Sequence, residues 1–128
     1  PDRQSITLND GQGTPVAHVF APEAASPAHT VLVNRDSITS AGNYRLQLGF
    51  SPAKSNRPTQ RITIRFDMPM EETVDSVTRV ARTARLVSDV VLPADMTTAE
   101  RADFAAFVKN AFADSVVNGY MEDLDPMY

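Results

Sequence analysis

The spacing of apolar residues changes once along this chain, and that change limits the possible folds more than any other feature. Apolar and polar residues alternate over residues 46–50 and again over 62–66, which is the two-residue period of strands with one buried face. Beyond Thr97 the apolar side chains recur at helical spacing, from Phe104 to Phe112. Strands followed by helices predict an α+β fold in which two helices cover one face of an antiparallel sheet.

Turn-forming residues divide the first part of the chain into further strands. Residues 9–13, Asn-Asp-Gly-Gln-Gly, separate two short β-type segments and predict an N-terminal hairpin within residues 1–20. The segment 21–27 contains two prolines and is predicted as a connection, and the acidic segment 69–75 is predicted as a loop. The remaining strands are predicted within residues 29–93, at 29–33, 45–51, 61–67 and 77–92.

The last part of the chain, residues 97–124, carries the signals of two helices. Thr97 and Glu100 have the spacing of a capping box, in which each side chain accepts from the other's backbone N–H. Asp114 or Ser115 can cap a second, shorter helix, and Pro126 prevents that helix from continuing. The length of 128 residues is that of one domain, so residues 1–128 are predicted to form a single domain.

Composition excludes several classes of protein. The chain has no cysteine, which rules out disulfides, thiolate metal sites and cysteine nucleophiles. No apolar run approaches the roughly 20 residues that span a bilayer. The first residues, Pro-Asp-Arg-Gln, lack the basic patch and apolar stretch of a secretion signal. We therefore expect a protein that stays where it is made and has no membrane partner.

The net charge of -4 is unevenly distributed. Nine of the 12 basic residues lie between Arg35 and Arg85, against five acidic residues there, whereas acidic residues dominate from Asp95 onward. Because guanidinium groups bind phosphates and neutral polar side chains reach base edges, a polar sheet face in this basic region suits RNA loops with splayed bases. Its predicted members are Arg45, Gln47, Ser51, Arg61, Thr63, Arg65 and Arg85. Arginines on an exposed sheet face are also ordinary solvated residues, and the pattern alone leaves both interpretations open.

Signals of catalysis or of a metal site are weak. His18 and His29 lie near predicted strand ends, without a nucleophile, metal-ligand spacing or a glycine-rich phosphate loop. The acidic segment 122–125 offers oxygen ligands but lacks the pattern of a calcium-binding loop, and a solvated helix end explains it more simply. We therefore predict no catalytic residue, no metal and no cofactor.

Several short strings occur in an order that is typical of one protein family. They are residues 5–8 (Ser-Ile-Thr-Leu), 44–48 (Tyr-Arg-Leu-Gln-Leu), 55–57 (Ser-Asn-Arg), 61–66 (Arg-Ile-Thr-Ile-Arg-Phe), 97–101 (Thr-Thr-Ala-Glu-Arg) and 124–128 (Leu-Asp-Pro-Met-Tyr). In this order the strings resemble the coat proteins of single-stranded RNA bacteriophages of the levivirus type. The resemblance covers nearly the whole chain.

The resemblance implies an N-terminal hairpin, a five-stranded antiparallel sheet and two C-terminal helices. It also implies an interlocked homodimer in which the two sheets join and each subunit's helices pack across its partner. Family members assemble such dimers into an icosahedral shell around a single-stranded RNA genome, with the loop near residues 69–76 making contacts around the symmetry axes. They bind a hairpin in their own RNA, which represses translation of the replicase. The protein is therefore expected in the virion, assembled in the cytoplasm of a bacterial host.

The family's RNA-contacting strand positions correspond here to ten residues. They are Arg45, Gln47, Gly49, Ser51, Arg61, Thr63, Arg65, Arg85, Val87 and Asp89. Two of them depart from the family pattern, since Arg85 stands where relatives have a base-stacking tyrosine and Val87 where they have an asparagine. Arginine also stacks on bases through its planar guanidinium group, so we expect RNA binding with a different sequence preference.

Two hypotheses of function from different classes follow. The first is a structural coat protein that dimerises, builds a shell around RNA and represses translation. The second is a nonviral dimeric RNA-binding regulator that uses the same sheet face and never assembles. An enzyme ranks third, because no acid, base and nucleophile converge in the sequence.

Overall fold

A computed structural model of the chain describes residues 4–37 and 39–127 and contains one antiparallel sheet followed by two helices. The strands are β1 (Ile6–Asn9), β2 (Ala17–Ala25), β3 (His29–Asn34), β4 (Tyr44–Ser51), β5 (Thr59–Val74) and β6 (Val77–Pro93). The helices are α1 (Thr98–Ala113) and α2 (Ser115–Glu122). Residues 1–3 and 128, on which part of the N-terminal expectation and the tail string depend, lie outside the described residues, as does residue 38. The predicted α+β plan of strands first and helices last is confirmed.

Each strand of the sheet pairs with its neighbours in sequence, in the order β1-β2-β3-β4-β5-β6. The predicted hairpin of β4 and β5 is present, with a register that runs from Arg45 opposite Asp67 to Ser51 opposite Arg61. β6 extends this hairpin along the whole length of β5. Since all connections are short and local, the three strands that carry the predicted RNA contacts lie side by side.

The N-terminal hairpin and the sheet are continuous, so the sheet has six strands and not five beside a separate hairpin. The first half of β2 pairs with β1, and its second half, Ala21 to Ala25, pairs with β3. The prediction of a connection at residues 21–27 was therefore wrong for its first five residues. The strand tolerates Pro22 because the pairing shifts between Pro22 and Ala24, and bulges accept a residue without an N–H.

The predicted loop at residues 69–75 is also a correction, because β5 continues through it to Val74. Only Asp75 and Ser76 form the turn into β6. The loop was predicted to begin at Pro69 because proline usually ends a strand. Pro69 lies past Asp67, however, which is the last residue of β5 that pairs with β4. There β5 has a strand neighbour on one side only, which is where a sheet tolerates proline.

Three of the four buried apolar side chains of the described residues lie on one side of the sheet, and the fourth, Val33, is paired opposite Arg45 on the other side. The fully or nearly buried apolar side chains of the described chain are Phe20, Leu32, Val33 and Leu92. The aromatic rings of Phe20 and Phe66 pack at a centroid distance of 6.2 Å. We define the apolar face by the inward positions of β4, β5 and β6: Leu46, Leu48, Phe50, Ile62, Ile64, Phe66, Leu86, Val90 and Leu92. The alternation that predicted these strands also produces this face.

The chain divides between Pro93 and Ala94 into two compact units, the sheet and the helices. The predicted capping box of α1 is confirmed: Thr97 Oγ1 accepts from the Glu100 backbone N–H at 3.2 Å, and Glu100 Oε1 accepts from the Thr97 N–H at 2.9 Å. Asp114 caps α2 by accepting from the Val116 N–H. Within the described residues neither helix has a buried side chain.

Candidate nucleic-acid interface

The strand register places all ten predicted contact residues on one side of the sheet. In antiparallel strands, directly opposed residues project to the same side and successive residues alternate. The rows across β4, β5 and β6 are Arg45–Asp67–Arg85, Gln47–Arg65–Val87, Gly49–Thr63–Asp89 and Ser51–Arg61–Val91. We call these twelve residues the arginine face. It lies on the opposite side of the sheet from the apolar face.

Asp67 lies between two arginines of this face. Its Oδ1 accepts from Arg85 Nε at 2.7 Å, and its Oδ2 is 3.7 Å from Arg65 Nε. The Asp67 side chain is only 13% exposed, while those of Arg65 and Arg85 are 39% and 50% exposed. One largely buried carboxylate thus lies between two partly exposed guanidinium groups, hydrogen-bonded to that of Arg85 and ion-paired with that of Arg65.

Glu23 holds a second pair of arginines at the margin of the face. Its Oε2 is 3.0 Å from Arg45 Nη1 and 3.5 Å from Arg35 Nη2. Glu23 was not predicted to lie near this face, because it belongs to the segment that was predicted as a connection. Its position follows from the bulge in β2, and a charge pattern along the sequence does not reveal such a bulge.

Other polar residues of the face make neutral or mixed contacts. Thr63 Oγ1 donates to Asp89 Oδ1 at 3.1 Å. Ser51 accepts from Arg57 Nη2 at 2.5 Å, so Arg57, on the loop between β4 and β5, joins the edge of the face. Arg61 is exposed and takes part in no ion pair among the described residues. It is the arginine of the face best placed to bind an external anion.

The charge of the arginine face is more balanced than the sequence suggested. Arg45, Arg61, Arg65 and Arg85 supply four positive charges, and Asp67 and Asp89 supply two negative ones. At the margin Glu23 adds one negative charge, and Arg35 and Arg57 add two positive charges. A surface of this kind attracts phosphates less strongly than four isolated arginines would. It offers instead donors and acceptors at fixed positions, which suits selective binding better than general attraction to anions.

Apolar side chains interrupt the charged rows. Val87 is 64% exposed and Val91 is 47% exposed, on either side of Asp89 along β6. Exposed valines beside arginine side chains provide a flat, partly apolar surface against which an unpaired base can pack. The position of Val87 on the face agrees with the prediction, although its chemistry differs from the asparagine of the resembling family.

A separate polar cluster surrounds His18 on β2. His18 Nε2 is 3.0 Å from Asp10 Oδ2, and its Nδ1 is 3.4 Å from Asp36 Oδ2. The buried side chain of Asn34 holds Asp36 in place by donating to it at 2.9 Å, and the same amide donates to the Val19 carbonyl. The cluster links the turn of the N-terminal hairpin to the end of β3.

The charges in this cluster shift the pKa of each titrating member. The hydrogen bond that His18 donates to Asp10 is the main cause that raises the pKa of His18 above its ordinary value of 6.5. Bonds from the Val16 backbone and from His18 lower the pKa of Asp10, and bonds from Asn34 and His18 lower that of Asp36. The described cluster contains no Ser, Thr, Cys or Lys nucleophile. Its charged hydrogen bonds connect the hairpin turn to the segment that follows β3.

Over residues 4–37 and 39–127, no three histidine, aspartate or glutamate side chains are grouped so as to hold a metal ion. No helix of that part of the chain is long and apolar enough to cross a membrane.

Comparison with known proteins gives one family and one group of structures. The family model described as "Levivirus coat protein" matches residues 1–128. No curated protein sequence matches the chain. Among solved structures, the virus-like particle of bacteriophage ESE058 aligns over 100% of both chains with a TM-score of 0.89 and 24% identity. That of Beihai levi-like virus 21 aligns over 100% of this chain and 99% of its own, with a TM-score of 0.90 and 20% identity. The protein capsid of bacteriophage GA aligns over 94% of this chain and 95% of its own, with a TM-score of 0.75 and 16% identity.

Proposed function

The chain belongs to the levivirus coat protein family, and from that premise we propose that it dimerises, builds a closed shell around single-stranded RNA and binds this RNA through the arginine face. A coat protein is a structural protein and not an enzyme. We further propose that it binds a hairpin of the genomic RNA as a translational repressor, and that assembly takes place in the cytoplasm of a bacterial host. The nonviral regulator is not retained, because the family match covers the whole chain.

The arrangement of the arginine face carries the proposal of RNA binding. Ten positions chosen from the sequence lie on one exposed side of three adjacent strands. Arg61 and the outer ends of Arg65 and Arg85 are placed to bind phosphates, while Gln47 and Thr63 add neutral donors. The mixture of charged, neutral and apolar groups suits an RNA loop, whose phosphates and bases are both accessible.

Exposed apolar side chains on both units support dimerisation. On the apolar face Phe50 is 43% exposed and Leu86 is 39% exposed, and on α1 Phe107 is 76% exposed. Burying one such side chain contributes about 1.5–3 kcal/mol. Four buried apolar side chains are a small core for the described chain. A second copy whose helices lie against this apolar face would complete it, and twofold symmetry would make the exchange mutual.

The test of assembly is expression of the full chain alone in bacteria, followed by size-exclusion chromatography and electron microscopy. We expect uniform closed particles whose ratio of nucleic-acid to protein absorbance shows enclosed host RNA. A small species that forms no particles at any salt concentration would contradict the proposed shell.

RNA binding by the arginine face is tested separately with Arg61→Ala. Losing one phosphate contact should reduce the slope of log affinity against log salt by about 0.7–0.9. Arg79→Ala is the matched control, since Arg79 is an exposed arginine that pairs with Glu72 outside the arginine face. Equal slopes for both variants would contradict the proposed RNA surface.

A further inference from the structure

The arginine face contains a carboxylate where a surface that only attracts RNA would have none. Asp67 occupies the central position of the row Arg45–Asp67–Arg85, and Arg65 precedes it by two residues on the same side of β5. An exposed carboxylate among phosphate-binding groups repels the ligand. Asp67 avoids part of this cost because only 13% of its side chain is exposed and two arginines shield it.

The contacts of Asp67 orient the two arginines unequally. Arg85 Nε donates a hydrogen bond to Asp67 Oδ1 at 2.7 Å, whereas Arg65 Nε lies 3.7 Å from Oδ2 in an ion pair without a hydrogen bond. A guanidinium group is a rigid planar fork, so holding Nε determines where its two terminal nitrogens point. An arginine that is already ordered loses less conformational freedom when it binds a matching ligand.

We propose that Asp67 is a positioning residue that sets the selectivity of the arginine face, and this inference rests on the RNA-binding role proposed above. Asp67 orients the fork of Arg85 through a hydrogen bond and keeps Arg65 beside it through an ion pair, so that the two arginines bind RNA whose phosphates and bases match this arrangement. Asp67 also cancels part of their positive charge, so that an unstructured RNA strand gains little affinity from electrostatic attraction to them. The favoured ligand class is therefore folded RNA with an exposed loop, and the disfavoured class is flexible single strands.

The test compares Asp67→Asn with Glu72→Gln in the full-length chain. Both changes replace a carboxylate with an amide and release an arginine, but Glu72 pairs with Arg79 outside the arginine face. The probes are a labelled oligouridine and a pool of RNA stem-loops with randomised loops. Fluorescence anisotropy gives affinity and its salt dependence for the first, and sequencing of the bound fraction gives loop enrichment for the second.

We expect Asp67→Asn to bind oligouridine about three- to tenfold more tightly, with a salt slope steeper by about 0.7–0.9 for one added phosphate contact. Loop enrichment should fall at the same time, while Glu72→Gln should stay within about twofold of the original chain. Asp67→Glu keeps the carboxylate and should restore weak oligouridine binding. If both amide variants behave alike, or if Asp67→Asn weakens binding to both probes, the proposal is overturned.

A second variant keeps the test independent of how well Asp67→Asn folds. Arg85→Lys preserves the charge but removes the planar fork, so we expect loop enrichment to fall with little change in the salt slope. Unchanged enrichment would overturn the role given to Asp67. Failure of RNA binding itself is recognised separately: if Arg45→Ala and Arg61→Ala leave the affinity for both probes unchanged, the arginine face does not bind RNA and both proposals fall.

Discussion

At the scale of single residues, shared charges recur on both sides of the sheet. On the arginine face Asp67 is shared by Arg65 and Arg85, and on the other side of the sheet the imidazole of His18 is shared by two carboxylates. A carboxylate that is ionised only accepts hydrogen bonds, so His18 must carry a proton on both ring nitrogens to donate to both. Removing any one member leaves another charge without its partner, which costs more than the missing bond alone.

The His18 cluster predicts how stability depends on pH. Because the pKa of His18 is raised above 6.5 in the folded chain, its contribution is complete below pH 6.5 and is lost as the pH rises through the raised value. The pKa values of Asp10 and Asp36 are lowered from 3.8, so their contributions hold above pH 3.8 and are lost as the pH falls through the lowered values. The cluster should therefore stabilise the hairpin most between these limits.

The measurement is the denaturant midpoint of the protein across this pH range, at one fixed protein concentration. His18→Gln should remove the fall in stability on the alkaline side of 6.5, since glutamine does not titrate there. His29→Gln is the control, because His29 is exposed at the start of β3 and lies outside the cluster. If the stability of His18→Gln depends on pH in the same way as that of the original chain, the His18 cluster does not stabilise the hairpin.

At the scale of secondary-structure elements, the sequence predicted those whose pattern is local. Alternation over residues 46–50 and 62–66 identified β4 and β5, and the capping box identified the start of α1. Both errors involve proline: Pro22 and Pro69 were interpreted as ends of strands, yet one lies beside a bulge and the other where β5 has lost one neighbour. Neither circumstance is visible before the strands are paired.

For the arginine face too, features set by the local sequence pattern could be predicted, and features that depend on strand pairing could not. Alternation placed Arg61, Thr63 and Arg65 together, because the side of a strand on which a residue lies depends only on its parity. The pairing of Asp67 with Arg85, which are 18 residues apart, depends on register and so was not predicted. Glu23 depends in addition on the irregular course of β2.

The capping box of α1 gives a prediction for that helix. Thr97→Ala removes the bond to the Glu100 N–H and should lower the free energy of unfolding by about 1 kcal/mol. Thermal unfolding would show this as a decrease in Tm of about 2–6 °C. Thr98→Ala, at the next position, is the control and should change the Tm by much less. Equal effects would mean that the box adds nothing to the helix.

The turn between β5 and β6 offers a stabilising change. Asp75 and Ser76 have positive φ values of 51° and 66°, which non-glycine residues adopt at some cost, and Asn-Gly is the pair best suited to such a turn. The double change Asp75→Asn with Ser76→Gly should raise the free energy of unfolding by about 1 kcal/mol. Chemical denaturation at one fixed protein concentration measures this change.

The control for the turn is Ser55→Gly, in the turn between β4 and β5, where the backbone does not take a positive φ. There the added freedom of glycine should be neutral or destabilising. If both glycine substitutions have the same effect, the strain at Asp75 and Ser76 does not contribute to stability.

At the scale of the whole molecule, association and folding are expected to be one process. The sheet and the helices each carry apolar side chains that remain exposed in the single described chain, such as Phe50 and Phe107. In the proposed dimer a second copy covers these side chains and completes the core, so the stability of the protein would depend on its concentration. The proposed dimer would then be the smallest stable form, and the shell would be built from it.

The helix side of this proposal is tested by Phe107→Ser. If α1 packs on a second copy, this change should weaken the dimer by about 2–4 kcal/mol and prevent particle formation at the same concentration. Light scattering coupled to size-exclusion chromatography over a dilution series measures both. Asn110→Ser, at an exposed polar position of α1, should assemble normally. A Phe107 variant that assembles as well as this control would place the interface elsewhere.

The simple strand order of the sheet has a further consequence for how the chain is made. Because every strand pairs with the one before it, contacts are close in sequence, and such topologies fold fast for a β-rich protein. The meander can therefore form strand by strand as it leaves the ribosome. The two helices follow the sheet along the chain, so a nascent subunit should present the helical part of its proposed partner-binding surface only after the strands have left the ribosome.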